Sequence, residues 1–333
     1  MKAFGIRKYN AQVEQLDLPN PQLGPNDVLV KVAAASLNQL DEMLRVGTFK
    51  ANLPYKMPLV LGNDFAGTVQ EIGIGVTKFK VGDLVFGKPN QARIGTFAQF
   101  VAVDQGDIAL APKTTSPAQA ASLPLVALTA WQALVVRGNL QPGQKVLIHG
   151  GTGGVGSVAI QLAKSLGATV ATTASSAKAE FVKELGADVI VDYKTQDFAT
   201  LLSDYDLVLD TQGGTTLFKS LGVLRRGGKV IGIAGPPDVA YAKSANLNPV
   251  LQLVMSLMSA KVNKAAKAFG VSYEFLFVQA NGQQLAKLAQ LVDAGTIRPI
   301  VSTEFEFDQT PQALAEMSAG QIKRGKAVVN ISD

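Results

Sequence analysis

The most constraining feature of this chain is an apolar run that ends in a glycine cluster. Val146-Leu147-Ile148-His149-Gly150-Gly151-Thr152-Gly153-Gly154-Val155-Gly156 reads as a buried strand entering a tight loop, and residues 157–165 continue as an amphipathic helix. Gly151-x-Gly153-x-x-Gly156 has the spacing that lets a backbone turn sharply, approach a pyrophosphate and pack a helix onto a strand. Alone the pattern is weak. Here it lies between strand and helix, with another strand from Ala168, and that context selects a dinucleotide-binding unit over an ordinary glycine turn.

The flanking sequence has two textures. Residues 1–112 carry short Val/Ile/Phe runs broken by Gly, Pro, Asn and Asp, which predicts short strands and tight turns in a small barrel or sandwich. Residues 116–235 instead alternate helical stretches with continuous apolar strands at 145–149, 168–173, 189–191, 207–210 and 229–234, the pattern of a parallel sheet covered on both faces. Leu166-Gly167-Ala168 recurs as Leu185-Gly186-Ala187, 19 residues further on, as successive helix-to-strand junctions would. Residues 236–269 read as helical; a helix at 283–294 and strands around Ile297, Phe305 and Val328 then return to the barrel texture.

Composition removes whole classes of chemistry. With 47% hydrophobic and 17% charged residues, the 333-residue chain has ample material for two cores. Zero cysteines exclude disulfides, thiolate zinc sites and cysteine nucleophiles, and the single histidine, His149, excludes a multi-histidine metal site. His149 precedes the glycine loop, where a loop-anchoring role outweighs a catalytic one. The N-terminus shows no basic segment followed by an apolar one, so a cytoplasmic protein without a signal peptide is expected. The apolar stretch at 250–260 is far short of the roughly 20 residues a membrane span needs, so no membrane partner is expected. A net charge of +5 with dispersed basic residues fits a polyanionic coenzyme better than nucleic acid.

The end of the second strand bears on coenzyme choice. An acid about 20 residues past the loop would hold a ribose 2′-hydroxyl and repel a 2′-phosphate. The chain reads Thr172-Thr173-Ala174-Ser175-Ser176-Ala177-Lys178 there, with no acid in the segment. Ser175, Ser176 and Lys178 can donate to a phosphate, so NADP(H) is expected; Tyr193 is a further phosphate or adenine contact, or else a surface residue.

Taken in order, Leu61-Gly62-Asn63-Asp64-Phe65-Ala66-Gly67, Gly82-Asp83-x-Val85-Phe86-Gly87, Ala121-Ser122-Leu123-Pro124-Leu125, Trp131, the glycine loop, Tyr205-Asp206-Leu207-Val208-Leu209-Asp210 and Gly325-Lys326-Ala327-Val328-Val329 resemble the medium-chain dehydrogenase/reductase superfamily over essentially the whole chain. The nearest branch is that of zinc-free quinone oxidoreductases and enone (2-alkenal) reductases. The resemblance implies an α/β protein: a GroES-like β-barrel domain (1–118 and 271–333) with an inserted Rossmann-type doubly wound parallel sheet (119–270). It also implies a homodimer, through the sheet edge near residues 229–234.

Departures from the zinc branch are equally informative. Gly62-Asn63-Asp64 stands where zinc alcohol dehydrogenases carry Gly-His-Glu, Asn38 and Leu40 replace the first cysteine ligand and the proton-relay hydroxyl, and the four-cysteine lobe is missing. Without that Lewis acid, hydride delivery to an electrophilic conjugated carbonyl or quinone is the accessible chemistry. The resemblance assigns Asn38 a place near the nicotinamide and Asp41 a supporting one, the alternative for Asp41 being a helix cap. Phe49 stands where related enoyl reductases place an acidic tyrosine; Tyr55 is the nearest substitute, with water as the other proton source. For the coenzyme the resemblance names Thr129, Ala234, Phe275, Phe277 and Lys326, beside Gly151, Thr152, Gly153, Gly154 and Val155 of the loop. The function so implied is NADPH-dependent reduction of an enone or quinone. The alternative is a non-catalytic relative that binds NADPH and acts as a binding or structural protein, RNA being one such partner in this branch.

Overall fold

Strand Asp27–Ser36 is the axis of the first structural unit. Ten residues long and buried at most positions, it pairs antiparallel with Asp64–Ile72, Phe100–Asp104 and Lys326–Asn330. The sheet continues from Asp64–Ile72 through Leu84–Gly87 to Ile108–Leu110, and from Lys326–Asn330 to the parallel Val301–Glu306. A smaller sheet joins Lys2–Ile6 to Glu14–Asp17 and Leu59–Val60. Phe65, Phe97, Val30, Val85 and Val329 fill the core between these strands. Three registers gather the polar residues of this unit: Ser36 lies opposite both Asp64 and Val328, and Phe65 lies opposite Gly87. Asn38, Asp64, Lys88 and Lys326, each within two residues of such a pair, thereby converge.

The second unit is a six-stranded, wholly parallel sheet in the order Val189–Asp192, Thr169–Ala174, Lys145–Ile148, Tyr205–Asp210, Leu224–Gly232, Ser272–Phe275. The first strand in sequence, Lys145–Ile148, is flanked by the second and the fourth, so the winding reverses at its carboxyl end. Such a switch point is where open α/β sheets bind ligands. Gly167 (φ +79°) and Gly186 (φ +105°) end the two helices that precede successive strands, in a conformation L side chains rarely adopt.

The computed structural model describes residues 1–331 and divides into Met1–Leu128 with the segment from Gln279 onward, and Thr129–Val278. Both junctions fall later than 118/119 and 270/271. Helix Pro117–Ala121 packs on strands of the first unit, and Ser272–Phe275 is a paired strand of the second. Two further expectations are corrected. Residues 229–234 are no sheet edge, because Leu224–Gly232 has a neighbour on each side and the edge strand on that side is Ser272–Phe275. Ile297 lies in a bend after helix Gly282–Asp293, and the strand expected there begins at Val301.

Candidate active site

In the second unit, Lys145–Ile148 runs into the glycine loop and helix Gly154–Ser165 leaves it. A Cβ at Gly151 would meet Thr172 Oγ1 at 2.2 Å, and one at Gly156 would meet the Gly150 carbonyl oxygen at 2.2 Å, so packing itself demands glycine at both. Gly153 differs: a Cβ there meets nothing closer than 3.5 Å, and its φ of −78° is ordinary. That glycine leaves open space at the helix N-terminus, which no side chain caps and which the aligned peptide dipoles make attractive to an anion. Thr152, Gly154 and Val155 are part-exposed around it. These features fit a dinucleotide pyrophosphate.

His149 anchors the loop. Its ring bonds Ser220 Oγ at 2.9 Å and Thr173 Oγ1 at 3.3 Å, and stands edge-on to Phe198. Burial pushes its pKa down to about 4, so the imidazole is neutral at pH 7.

Ser175 follows strand Thr169–Ala174 and starts the short turn Ser176–Lys178. Ser175 and Lys178 are part-exposed, Ser176 exposed, and Tyr193 is 62% exposed on the neighbouring connection. The structure corrects one sequence inference here. An acid does reach this turn: Asp192 ends the adjacent strand, opposite Ala174, and accepts hydrogen bonds from the N–H and hydroxyl of Ser176.

The remaining coenzyme candidates are placed unevenly. Ala234 is exposed just past strand Leu224–Gly232. Phe275 is buried in the core of the unit, edge-on to Tyr241, with its N–H on Asp238 Oδ2 at 2.9 Å; Phe277 packs against the same tyrosine. Thr129 is buried near the end of helix Pro124–Trp131.

In the first unit the predicted residues converge, though not as free donors. Asn38 precedes helix Gln39–Arg45, and its Nδ2 donates to Asp64 Oδ2 at 2.8 Å and to the Ser36 carbonyl at 3.4 Å. Its Oδ1 accepts from Lys326 Nζ, which also donates to the Leu37 carbonyl and lies 3.5 Å from Asp64 Oδ2. The Lys326 ammonium is thus buried in this network instead of being presented to a coenzyme. Asp64, fully buried, collects in addition the Ser36 hydroxyl at 2.7 Å and the Leu125 N–H at 2.7 Å. Asp41 accepts from the Asn38 N–H at 2.8 Å, a helix cap, and from Asn63 Nδ2 at 2.7 Å; burial raises its pKa to about 7. Lys88, also fully buried, donates to Gln91 Oε1 and the Pro89 carbonyl, and burial lowers its pKa to about 8. Tyr55 Oη donates to the Gln91 carbonyl at 2.6 Å and accepts from Gln91 Nε2 at 3.2 Å.

Asp64 and Lys88 were missed as site residues. The available signal was a charged residue next to an apolar strand, at Asn63-Asp64-Phe65 and at Phe86-Gly87-Lys88. The same network answers whether zinc would fit. Amide, carboxylate and ammonium groups, with no cysteine and the only histidine in the glycine loop, do not make a zinc ligand set, and no group of three metal-ligating side chains exists among the described residues.

Comparison with known proteins agrees with this arrangement. Residues 24–113 match the alcohol dehydrogenase GroES-like domain, and residues 185–329 match the zinc-binding dehydrogenase family. A human mitochondrial NAD(P)H oxidoreductase, RTN4IP1, is 36% identical over 92% of this chain and 82% of its own length. An Arabidopsis thaliana chloroplastic NADPH-dependent alkenal/one oxidoreductase is 34% identical over 99% of this chain and 79% of its own. The solved structure of a quinone oxidoreductase from Coxiella burnetii superposes with a TM-score of 0.87 at 32% identity, covering 100% of this chain and 99% of that one. The organellar relatives overturn the cytoplasmic expectation: a targeting leader is separate from the folded body, whose composition does not encode a compartment. The two-unit architecture, the coenzyme loop and these relatives together establish that the chain belongs to the medium-chain dehydrogenase/reductase superfamily, in its zinc-free quinone oxidoreductase and enone reductase branch, and that it is an oxidoreductase using a nicotinamide coenzyme.

Proposed function

We propose that this protein is an NADPH-dependent reductase of α,β-unsaturated carbonyls or quinones. The observation that carries the reading is the Ser175-to-Lys178 turn, which follows the strand next to the glycine loop in the same unit. The loop would hold the pyrophosphate, and Ser175 and Lys178 would meet the 2′-phosphate. When bound, NADPH supplies a hydride and leaves as NADP⁺. Hydride addition at the β-carbon moves an electron pair onto the carbonyl oxygen, and one proton taken from water then gives the saturated ketone; a quinone takes hydride and proton to become the hydroquinone.

The chain's own contribution is binding and placement. Asn38 is a positioning residue in this reading, since both its amide hydrogens and its oxygen are engaged within the protein. Tyr55 directs its hydrogen to a backbone carbonyl, which favours water as the proton source. A homodimer would form through the edge strand Ser272–Phe275.

Steady-state NADPH oxidation with but-3-en-2-one and with 1,4-benzoquinone tests the proposal. Turnover of at least one, with product appearing in equal amount to NADPH consumed, is expected. Binding of NADPH with no turnover of either substrate would remove the catalytic reading.

A further inference from the structure

We infer that Asp192 narrows the preference for NADPH over NADH, acting as a negative determinant against the 2′-phosphate. The inference rests on the NADPH reading above and concerns a residue 14 positions beyond Lys178, outside the segment that sequence rules inspect.

The parallel register of Thr169–Ala174 with Val189–Asp192 puts Asp192 directly opposite Ala174, so both strands deliver their last residue to the carboxyl edge of the sheet. There the Asp192 carboxylate accepts the Lys194 N–H at 3.0 Å and both the N–H and the hydroxyl of Ser176. Its own N–H is held by Gln196 Oε1 at 2.9 Å, and its carbonyl takes the N–H groups of Thr195 and Gln196. The residue is therefore pinned from four sides, and these amide donors keep its carboxyl below the usual carboxylate range.

Two consequences oppose phosphate binding. The two donors of Ser176 are engaged by a carboxylate that a 2′-phosphate would have to displace. A negative charge also stands opposite Ala174, the residue before the turn assigned to the phosphate, where like charges repel. A ribose bearing a free 2′-hydroxyl meets neither obstacle, because a carboxylate accepts from a hydroxyl. Ser175 and Lys178 favour NADPH while Asp192 favours NADH, and the measured preference is the balance of the two.

Equilibrium titration calorimetry separates the terms without turnover. The ligands are NADPH, NADH, adenosine 2′,5′-bisphosphate and 5′-AMP; the proteins are the native chain, Asp192→Asn and Lys178→Ala. Asparagine keeps an oxygen for the Lys194 amide, so thermal stability should hold. Asp192→Asn should tighten NADPH and the bisphosphate about tenfold, with NADH and 5′-AMP changing less than about twofold. If Lys178→Ala weakens the phosphorylated ligands while Asp192→Asn leaves them unchanged, the role of Asp192 is overturned and the NADPH seat stands. If neither variant moves the phosphorylated ligands relative to the others, both fall.

Discussion

The two units bury polar groups by opposite means. The first encloses titratable groups, Asp64 and Lys326 3.5 Å apart and Asp41 and Lys88 buried in the same unit. The second keeps buried ion pairs away from its loop: His149 is neutral and satisfied by two hydroxyls, the buried Asp210 carboxyl is held by the Gln212 and Gly213 amides, and Lys178 and Asp192 stay part-exposed. A buried ion is tolerable only when every partner is present, whereas a neutral imidazole loses only ordinary hydrogen bonds when a partner is removed. Loss of one member should thus be far more damaging in the first unit than in the second.

The largest test removes a buried charge. Lys326→Met leaves Asp64 enclosed without its cation and should lower unfolding free energy by roughly 3–5 kcal/mol in urea titrations. His149→Asn should cost only about 1–3 kcal/mol. Equal losses would break the contrast between the units.

Acid titration sharpens it further, because Asp41 and His149 pull stability in opposite directions. Asp41 has its pKa raised to about 7, so the folded state holds a proton the unfolded chain has released; its contribution is full below the unfolded value of 3.8 and is lost as pH rises towards 7. His149, lowered to about 4, contributes fully above 6.5, and that contribution is lost as pH falls towards 4. Each window spans roughly 3–5 kcal/mol and the two largely cancel in the native chain. Asp41→Asn should make stability rise more steeply with pH between 4 and 7, and His149→Asn should make it fall. Superimposable pH profiles for the two variants would refute the opposition.

The smallest expected effect concerns Asn38. With its amide committed to Asp64, Ser36 and Lys326, Asn38→Ala should cost about 1–3 kcal/mol of stability while kcat per folded molecule drops less than tenfold. Losing a direct donor to the developing oxyanion would cost about 100- to 1,000-fold. A fall of that size with an unchanged melting temperature would restore Asn38 to direct contact with substrate.

Much of this protein was legible along the chain, because its signals are local. Strand-to-helix alternation, the glycine spacing and the Leu-Gly-Ala junctions each occupy a few consecutive residues, and they point to a parallel sheet with a dinucleotide loop after one of its strands. The absence of cysteine and the lone histidine likewise excluded, before any folding, thiolate and multi-histidine zinc sites. The tertiary structure alone decided which charges meet. Lys326 reaches Asn38 across 288 positions because two antiparallel pairings centre on Ser36, and Asp192 reaches Ser176 because two parallel strands end in register. The physical reason is range: periodicity and turn chemistry act between near neighbours in the chain. Burial, pKa and the pairing of charges depend on neighbours in space, which only strand register supplies.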